Sequence, residues 1–357
     1  MTSSSDKWIY WLDEVTKDHN NVVGKKCANL GEMTRAGFHV PAGFALSLDA
    51  YDKFMRQTGA LEEVKTYLAS FKADPHDPAE LPKWQEASDV IRGIVESKPM
   101  PPEMADVLLA HYAEVCSKTG SKDCPVATRS AGAASHPGQY ETFLQVKGGD
   151  EVLRNIIRVW GSTFNQRSLV ARARGNYAVE YDAIGVAVLQ MVNAKAAGVM
   201  FTLNPATGDR TKIMIGGSWG LGEAVVSGSV TPDEWMVDRV VMEISRRTIS
   251  LKGIEYIVDA SGNVVVADIP VERQSVPCLT DQEVLELAKG GKLIEQHYGE
   301  PQDIEWVIDK DLSLPDSIFF VQTRPETTWK EKAATQRLKS TGDAKKDVVQ
   351  FWMTVKA

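Results

Sequence analysis

Two runs near the C-terminal end, PQDIEWVIDK (301–310) and FFVQTRPETT (319–328), alternate polar and apolar residues with a period of two. That period admits little except extended strands. Successive strand side chains point to opposite faces. Asp303 and Glu305 therefore share one face, as do Gln322 and Arg324, while Ile304 and Trp306, or Val321 and Thr323, point the other way. The pattern predicts a hairpin that gathers two carboxylates, an amide and a guanidinium on one patch. A surface strand pair with cross-strand ion pairing would carry the same pattern. The functional alternative is a hard cation on a polyphosphate. Magnesium takes one or two carboxylates plus phosphate oxygens, and an amide oxygen can complete its shell. Arg324 would then offer a bidentate fork to a phosphate.

Composition narrows the rest. A chain of 357 residues that is 43% apolar buries a substantial core, and its length predicts two or three subdomains. Forty basic against 48 acidic residues give a net charge of −8. This argues against nucleic acid or an anionic membrane as the main partner and leaves room for a local basic cleft. Cys27, Cys116, Cys124 and Cys278 are scattered, with no CxxC and no metal spacing, which predicts reduced thiols. The start MTSSSDKWIYWLDE lacks the basic and apolar regions of a secretory signal. The longest uncharged apolar run, AIGVAVLQMVNA (183–194), is short of the ~18 residues of a membrane-spanning helix. The expectation is a soluble, cytoplasmic, globular protein.

Along the chain, residues 20–47 predict turn, helix (Cys27 to Ala36), turn and strand, with Gly37 stopping the helix. Helical periods fill 61–71 and 102–115 around a Pro-containing break at 72–84. CPVATRSAGAASHPGQYETFLQV (124–146) predicts two strands joined by a small-residue loop, and 151–175 a single basic amphipathic helix. Residues 183–275 are strand-rich, 281–299 helical, and 330–357 form a tail. The predicted organisation is an N-terminal extension (1–19), a first subdomain (20–192), a second (193–329) and the tail.

Four further stretches carry candidate chemistry. Arg129 ends a strand before a loop of small residues that lets backbone N–H groups approach an anion, and Thr142 adds a hydroxyl; such loops also merely turn. Lys26 sits beside a helix N-terminus that already favours anions, although a solvated lysine is the commoner case. IGGSWGLGEAVVSGSVTPDEW (215–235) is a glycine-rich turn entering Glu223. It is neither a Walker A loop nor a dinucleotide fingerprint, so a close backbone approach to a nucleotide and a tight structural turn both remain open. Gln190-Met191-Val192 ends an apolar strand, either as plain core or as a hinge whose polar groups read an adenine edge.

Taken together and in order, GKKCANLGEMTRAGFHVPAGFALS, RSAGAASHPGQYETFLQV, QMVNAKAAGVMFTLNPATGDR, SWGLGEAVVSGSVTPDEW and PQDIEWVID with VQTRP resemble the N-terminal nucleotide-binding domain of phosphoenolpyruvate synthases, pyruvate phosphate dikinases and rifampicin phosphotransferases. The resemblance covers roughly residues 20–328. It implies an α+β, ATP-grasp-like fold with ATP and Mg²⁺ in the cleft between two subdomains. Carried over position by position, it places Lys26, Arg129 and Arg324 on phosphates and Gly138, Thr142 and Phe143 in the loop over them. Gln190 and Glu223 fall near the nucleotide, and Glu305 and Gln322, with Asp303 assisting, on the metal. Two departures stand out. The loop between Arg129 and Gly138 is shorter than the family's and has SHPG in place of its acidic residues. Lys25 replaces the glycine that usually precedes the lysine.

Members of the family pass phosphate through a histidine on a separate swivelling domain. None of His19, His39, His76, His111, His136 and His297 has that context, and His136 falls in the phosphate-covering loop. The expectation is therefore a partner subunit that carries the phosphohistidine and the acceptor site. The arrangement most similar in layout is the split phenylphosphate synthase type, which phosphorylates phenol. A split phosphoenolpyruvate synthase, a rifampicin phosphotransferase and a non-catalytic ATP sensor are the alternatives.

Overall fold

A computed structural model of the chain describes residues 7–132, 140–327 and 329. Its strands are β1 (Ile9–Trp11), β2 (Gly43–Leu46), β3 (Val126–Ala131), β4 (Thr142–Val146), β5 (Gly185–Gln190), β6 (Ala194–Phe201), β7 (Lys212–Trp219), β8 (Asp233–Asp238), β9 (Glu243–Thr248), β10 (Ile254–Val258), β11 (Val264–Asp268), β12 (Gln302–Asp309) and β13 (Ile318–Pro325). They form a five-stranded sheet in the order β1-β2-β5-β3-β4 and a six-stranded sheet in the order β13-β12-β6-β7-β8-β9. β10 and β11 pair separately, and a bridge from Tyr256 to Gly220 ties them to the glycine-rich segment.

Period-two patterning explains how the first sheet is covered. Phe44, Leu46, Val186 and Val188 enter one apolar cluster with Tyr51, Phe54, Trp84 and Trp160 from the surrounding helices. Their chain neighbours Ala45, Ala187 and Leu189 enter a second cluster with Cys27, Ala28, Leu30 and Met33 of the Lys25–Arg35 helix. Small residues on that face let the helix come close. The same cluster takes in Met200, Ile213, Trp235, Ile304 and Trp306 of the second sheet. This helix therefore lies between the two sheets rather than within the first unit alone.

Polar contacts pin it there. Asn29 Nδ2 donates to the Thr323 carbonyl at 2.9 Å, and Glu32 meets His297 Nε2 at 2.6 Å. At its start Gly24 has φ +81°, and a Cβ there would collide with the Ala131 carbonyl at the end of β3. The next residue, Lys25, donates its N–H to the Gly132 carbonyl at 2.9 Å. Glycine is needed on both counts.

Several expectations change. Residues 9–11, assigned to an N-terminal extension, form an edge strand against β2, and Trp8, Ile9, Leu12 and Val15 are buried. The single helix expected over 151–175 is two, Gly149–Gly161 and Gln166–Arg174. Ser162 Oγ and Thr163 Oγ1 donate back to the Val159 and Trp160 carbonyls, and the Asn165 side chain caps the second helix by accepting from Ser168 N–H. Such side chains compete with the helical backbone and end it. β9, EISRRT, lacks an apolar alternation because its residues are largely exposed at a sheet edge. Among the described residues no helix is long and apolar enough to cross a membrane. The tail 330–357 lies outside the described residues.

Candidate nucleotide site

β12 and β13 pair antiparallel, with Asp303 opposite Arg324 and Glu305 opposite Gln322. Each pair bonds across the strands. Arg324 Nε donates to Asp303 Oδ2 at 2.7 Å, and Gln322 Nε2 donates to Glu305 Oε1 at 2.7 Å. A bulge after Glu305 shifts the register at Trp306.

Arg129 reaches this patch from β3 in the other sheet. Its Nη2 donates to Glu305 Oε2 at 2.9 Å and its Nη1 to the Val321 carbonyl at 3.0 Å. Arg129 also lies opposite Thr142 in the β3–β4 pairing, so Thr142 stands beside the guanidinium. Lys26, in the first turn of the interposed helix, feels Arg129, Glu305 and Arg324 electrostatically. Burial, and then the positive charge of Arg129, hold its ammonium below the usual lysine range. Burial also pushes the neighbouring Cys27 thiol up to about 12, so it stays a neutral thiol. Asp303 is raised by burial despite the opposing Arg324.

Lys26, Arg129, Thr142, Glu305, Gln322 and Arg324 line a cavity of ≈ 500 Å³ between the sheets. Its charged lining among the described residues is Lys25, Lys26, Arg129 and Arg324 against Glu223 and Glu305. Four cations facing two anions, in a chain of net charge −8, mark a site for an anionic ligand. Gln190 and the glycine-rich Leu221-Gly222 also line it, and Glu223 opens a short helix at its rim.

The expected residues thus largely converge, with exceptions. Phe143 does not line the cavity. It alternates with Thr142 and Leu144, which do, and its ring lies 4.0 Å beneath the Arg158 guanidinium. Asp303 stands behind Arg324 instead of lining the cavity itself. Gly138 and His136 lie outside the described residues. The sequence reading missed Asn29 and Tyr140, both in the lining. Asn29 was legible, because it falls three and four residues after Lys26 and Lys25 and so shares their helix face. Tyr140 bonds through its hydroxyl to Asp182, which also accepts from Arg172 Nη1 at 3.0 Å.

The donor set bears on the metal. Among the described residues no group of three or more His, Cys, Asp or Glu side chains could hold an ion. Glu305, Asp303 and the Gln322 amide oxygen suit a cation whose remaining ligands are phosphate oxygens. They would not form a self-sufficient cage.

Fold and site define an α+β nucleotide-binding unit of the ATP-grasp type, with the ligand space between two sheets. A family model described as "Pyruvate phosphate dikinase, AMP/ATP-binding domain" matches residues 20–345, and the chain belongs to that family. It is 38% identical over 374 residues to a probable phosphoenolpyruvate synthase of Staphylothermus marinus, covering 97% of this chain and 44% of that protein. It is 36% identical over 380 residues to the phosphoenolpyruvate synthase of Pyrococcus furiosus, covering 95% and 46%. A probable phosphoenolpyruvate synthase of Methanothermobacter thermautotrophicus is 38% identical over 340 residues, covering 94% and 48%. The chain thus spans less than half the length of these relatives.

Proposed function

We propose that this chain is the ATP-binding part of a dikinase-type phosphotransferase, most similar in role to the ATP part of a phosphoenolpyruvate synthase. The observation that carries the reading is the convergence of Lys26, Arg129 and Arg324, from one helix and two sheets, on a cavity shared with Glu305 and Gln322. In this reading the polyphosphate of ATP lies among the three cations, and the Leu221–Glu223 turn and Gln190 contact the nucleoside. Glu305 and Gln322, with Asp303 nearby, would hold Mg²⁺. The ion would neutralise phosphate charge and orient the transferred group.

The step is attack of a histidine nitrogen on the β-phosphorus of ATP. An N–P bond forms, the bond from the β-phosphorus to the bridging oxygen of AMP breaks, and AMP leaves while the imidazole loses its proton. Lys26, Arg129 and Arg324 stabilise charge that develops on the transferred and leaving oxygens.

The histidine comes from elsewhere, on a partner subunit that also holds the acceptor. Among the described residues no histidine lines the cavity. His19 bonds to Thr16, His39 lies against Phe319, His111 stacks on Trp11 and His297 meets Glu32.

The names of the relatives favour pyruvate as the acceptor over phenol. Phenol, which the split layout first suggested, is the second acceptor in the test. The chain is combined with its co-purifying histidine-bearing protein, ATP labelled in the β-phosphate, and pyruvate, phenol or rifampicin in turn. The reading expects label on the partner's histidine, AMP as product and turnover driven by pyruvate. ADP as the product, or no labelled histidine with an intact partner, overturns it and leaves a nucleotide sensor.

A further inference from the structure

Both carboxylate oxygens of Glu305 are engaged by protein donors. One carboxylate oxygen accepts from Arg129 at 2.9 Å and the other from Gln322 at 2.7 Å. The Gln322 amide is turned so that its nitrogen, not its oxygen, meets the carboxylate. Arg129 is held on its other side by the Val321 carbonyl. The Arg129–Glu305 pair is sheltered, with side chains only 18% and 21% exposed. Asp303, the second carboxylate on that face, is bonded by both Nε and Nη2 of Arg324, at 2.7 and 2.6 Å.

A divalent cation approaching this patch therefore meets two neutralised carboxylates. It also meets the positive charge of Lys26, which makes no ion pair with a described residue, and Lys25 lines the same cavity. Simple attraction gives such a cation no net reason to stay.

We propose that the Arg129–Glu305 bond is a lock that keeps the divalent-metal site closed until a nucleotide's polyphosphate draws Arg129 away. The proposal rests on the functional reading above. Its physical basis is an exchange of partners. A triphosphate offers the guanidinium several anionic oxygens in place of one carboxylate. Arg129 turns to them, Glu305 is released toward the cation, and Gln322 can rotate its amide to present oxygen. The two ligands are thereby coupled beyond their attraction for each other in solution, because each removes the other's competitor. The same bond ties β3 of one sheet to β12 of the other, so its exchange also decides whether the sheets are clasped through protein or through ligand.

The lock predicts that weakening it in the absence of nucleotide creates metal affinity. Mn²⁺ binding to the full chain is followed by electron paramagnetic resonance with no nucleotide present, for wild type, Arg129→Met and Arg129→Met/Glu305→Gln. Arg129→Met is expected to bind Mn²⁺ at least about tenfold more tightly than wild type, within the usual range of coupling between sites. The double variant is expected to lose that gain. Equal Mn²⁺ affinity in wild type and Arg129→Met overturns the lock, as does a gain that survives Glu305→Gln.

A second measurement covers the case in which Arg129→Met does not fold. Metal-free ATP is titrated in EDTA into wild type and Glu305→Gln. Release of Arg129 predicts tighter binding by the variant. Weaker or unchanged binding contradicts the lock. A parallel titration of wild type with ATP and Mg²⁺, without EDTA, separates the two ideas: if ATP does not bind wild type there, the functional reading fails, whereas normal binding with no gain in either variant rejects the lock alone.

Discussion

Arg129 on one sheet and Glu305 on the other meet at 2.9 Å across the cavity that separates them. The two residues are 176 positions apart in the chain, so the contact exists only when both sheets and the Lys25–Arg35 helix between them are assembled. A ligand that binds here should report on, and add to, the stability of the whole arrangement. The consequences are separable by residue.

Arg324 sits at the cavity wall with its guanidinium on Asp303. If Arg324 holds phosphate as proposed, replacing it by alanine removes a charge-assisted bond worth about 1.5–3 kcal/mol. Arg324→Ala is expected to weaken ATP binding by at least about tenfold. The melting temperature without nucleotide should fall as well, because Asp303, with its side chain 12% exposed, loses the guanidinium paired with it. Calorimetric titration beside a thermal melt checks both halves. Unchanged ATP affinity would remove Arg324 from the site.

Lys26 predicts a trade between stability and binding. Burial and Arg129 lower its folded pKa below the ordinary 10.5, so its charged form is penalised in the unliganded fold. The folded state therefore loses this proton at lower pH than the unfolded chain does. The penalty is full below the folded value and is relieved as pH rises from there to 10.5. Lys26→Met is expected to melt above wild type at neutral pH, with the difference shrinking as pH rises through that window, and to bind ATP more weakly. Melting curves against pH, with and without ATP, test it.

Gly24 should tolerate no side chain. Its φ of +81° and the Ala131 carbonyl where a Cβ would stand mean that Gly24→Ala must shift the start of the helix that carries Lys25 and Lys26. A strained backbone position of this kind costs of order 1–3 kcal/mol. The expected result is a lower denaturant midpoint together with weakened ATP binding. Wild-type values for both would mean that the close approach to β3 is dispensable.

Away from the cavity, Asp233 and Lys252 form a fully buried pair at 2.6 Å. Asp233 also accepts from the N–H groups of Ser250 and Cys278, tying β8 to two loops. Asp233→Ala strands a buried ammonium and is expected to cost about 3–5 kcal/mol, measured by urea unfolding. Asp233→Ala/Lys252→Met should recover part of the loss.

Much of this was readable from the chain because the site is written in local patterns. Asp303, Glu305, Gln322 and Arg324 follow strand alternation, which puts them on one face, and the paired strands then set Asp303 opposite Arg324 and Glu305 opposite Gln322. Lys26 follows from a helix start. What escaped was of two kinds. The break at Gly161–Asn165 depends on Ser and Thr hydroxyls turning back to carbonyls, which a helical period hides. The placement of the Lys25–Arg35 helix between the sheets depends on Ala45 and Ala187 being small on one face only, a meaning that appears once the strands are paired. Phe143 was placed over the phosphates by the family resemblance, and alternation along β4 puts it on the other side from Thr142 and Leu144.

The central claim is that one polyphosphate is gripped from both sheets and from the helix between them. Crystals of the chain grown with a non-hydrolysable ATP analogue and Mg²⁺ test it most directly. The account predicts phosphate oxygens within hydrogen-bond reach of Lys26, Arg129 and Arg324, and the cation on Glu305 and Gln322. A nucleotide bound elsewhere, or an Arg129–Glu305 bond left intact beside a bound triphosphate, would contradict it.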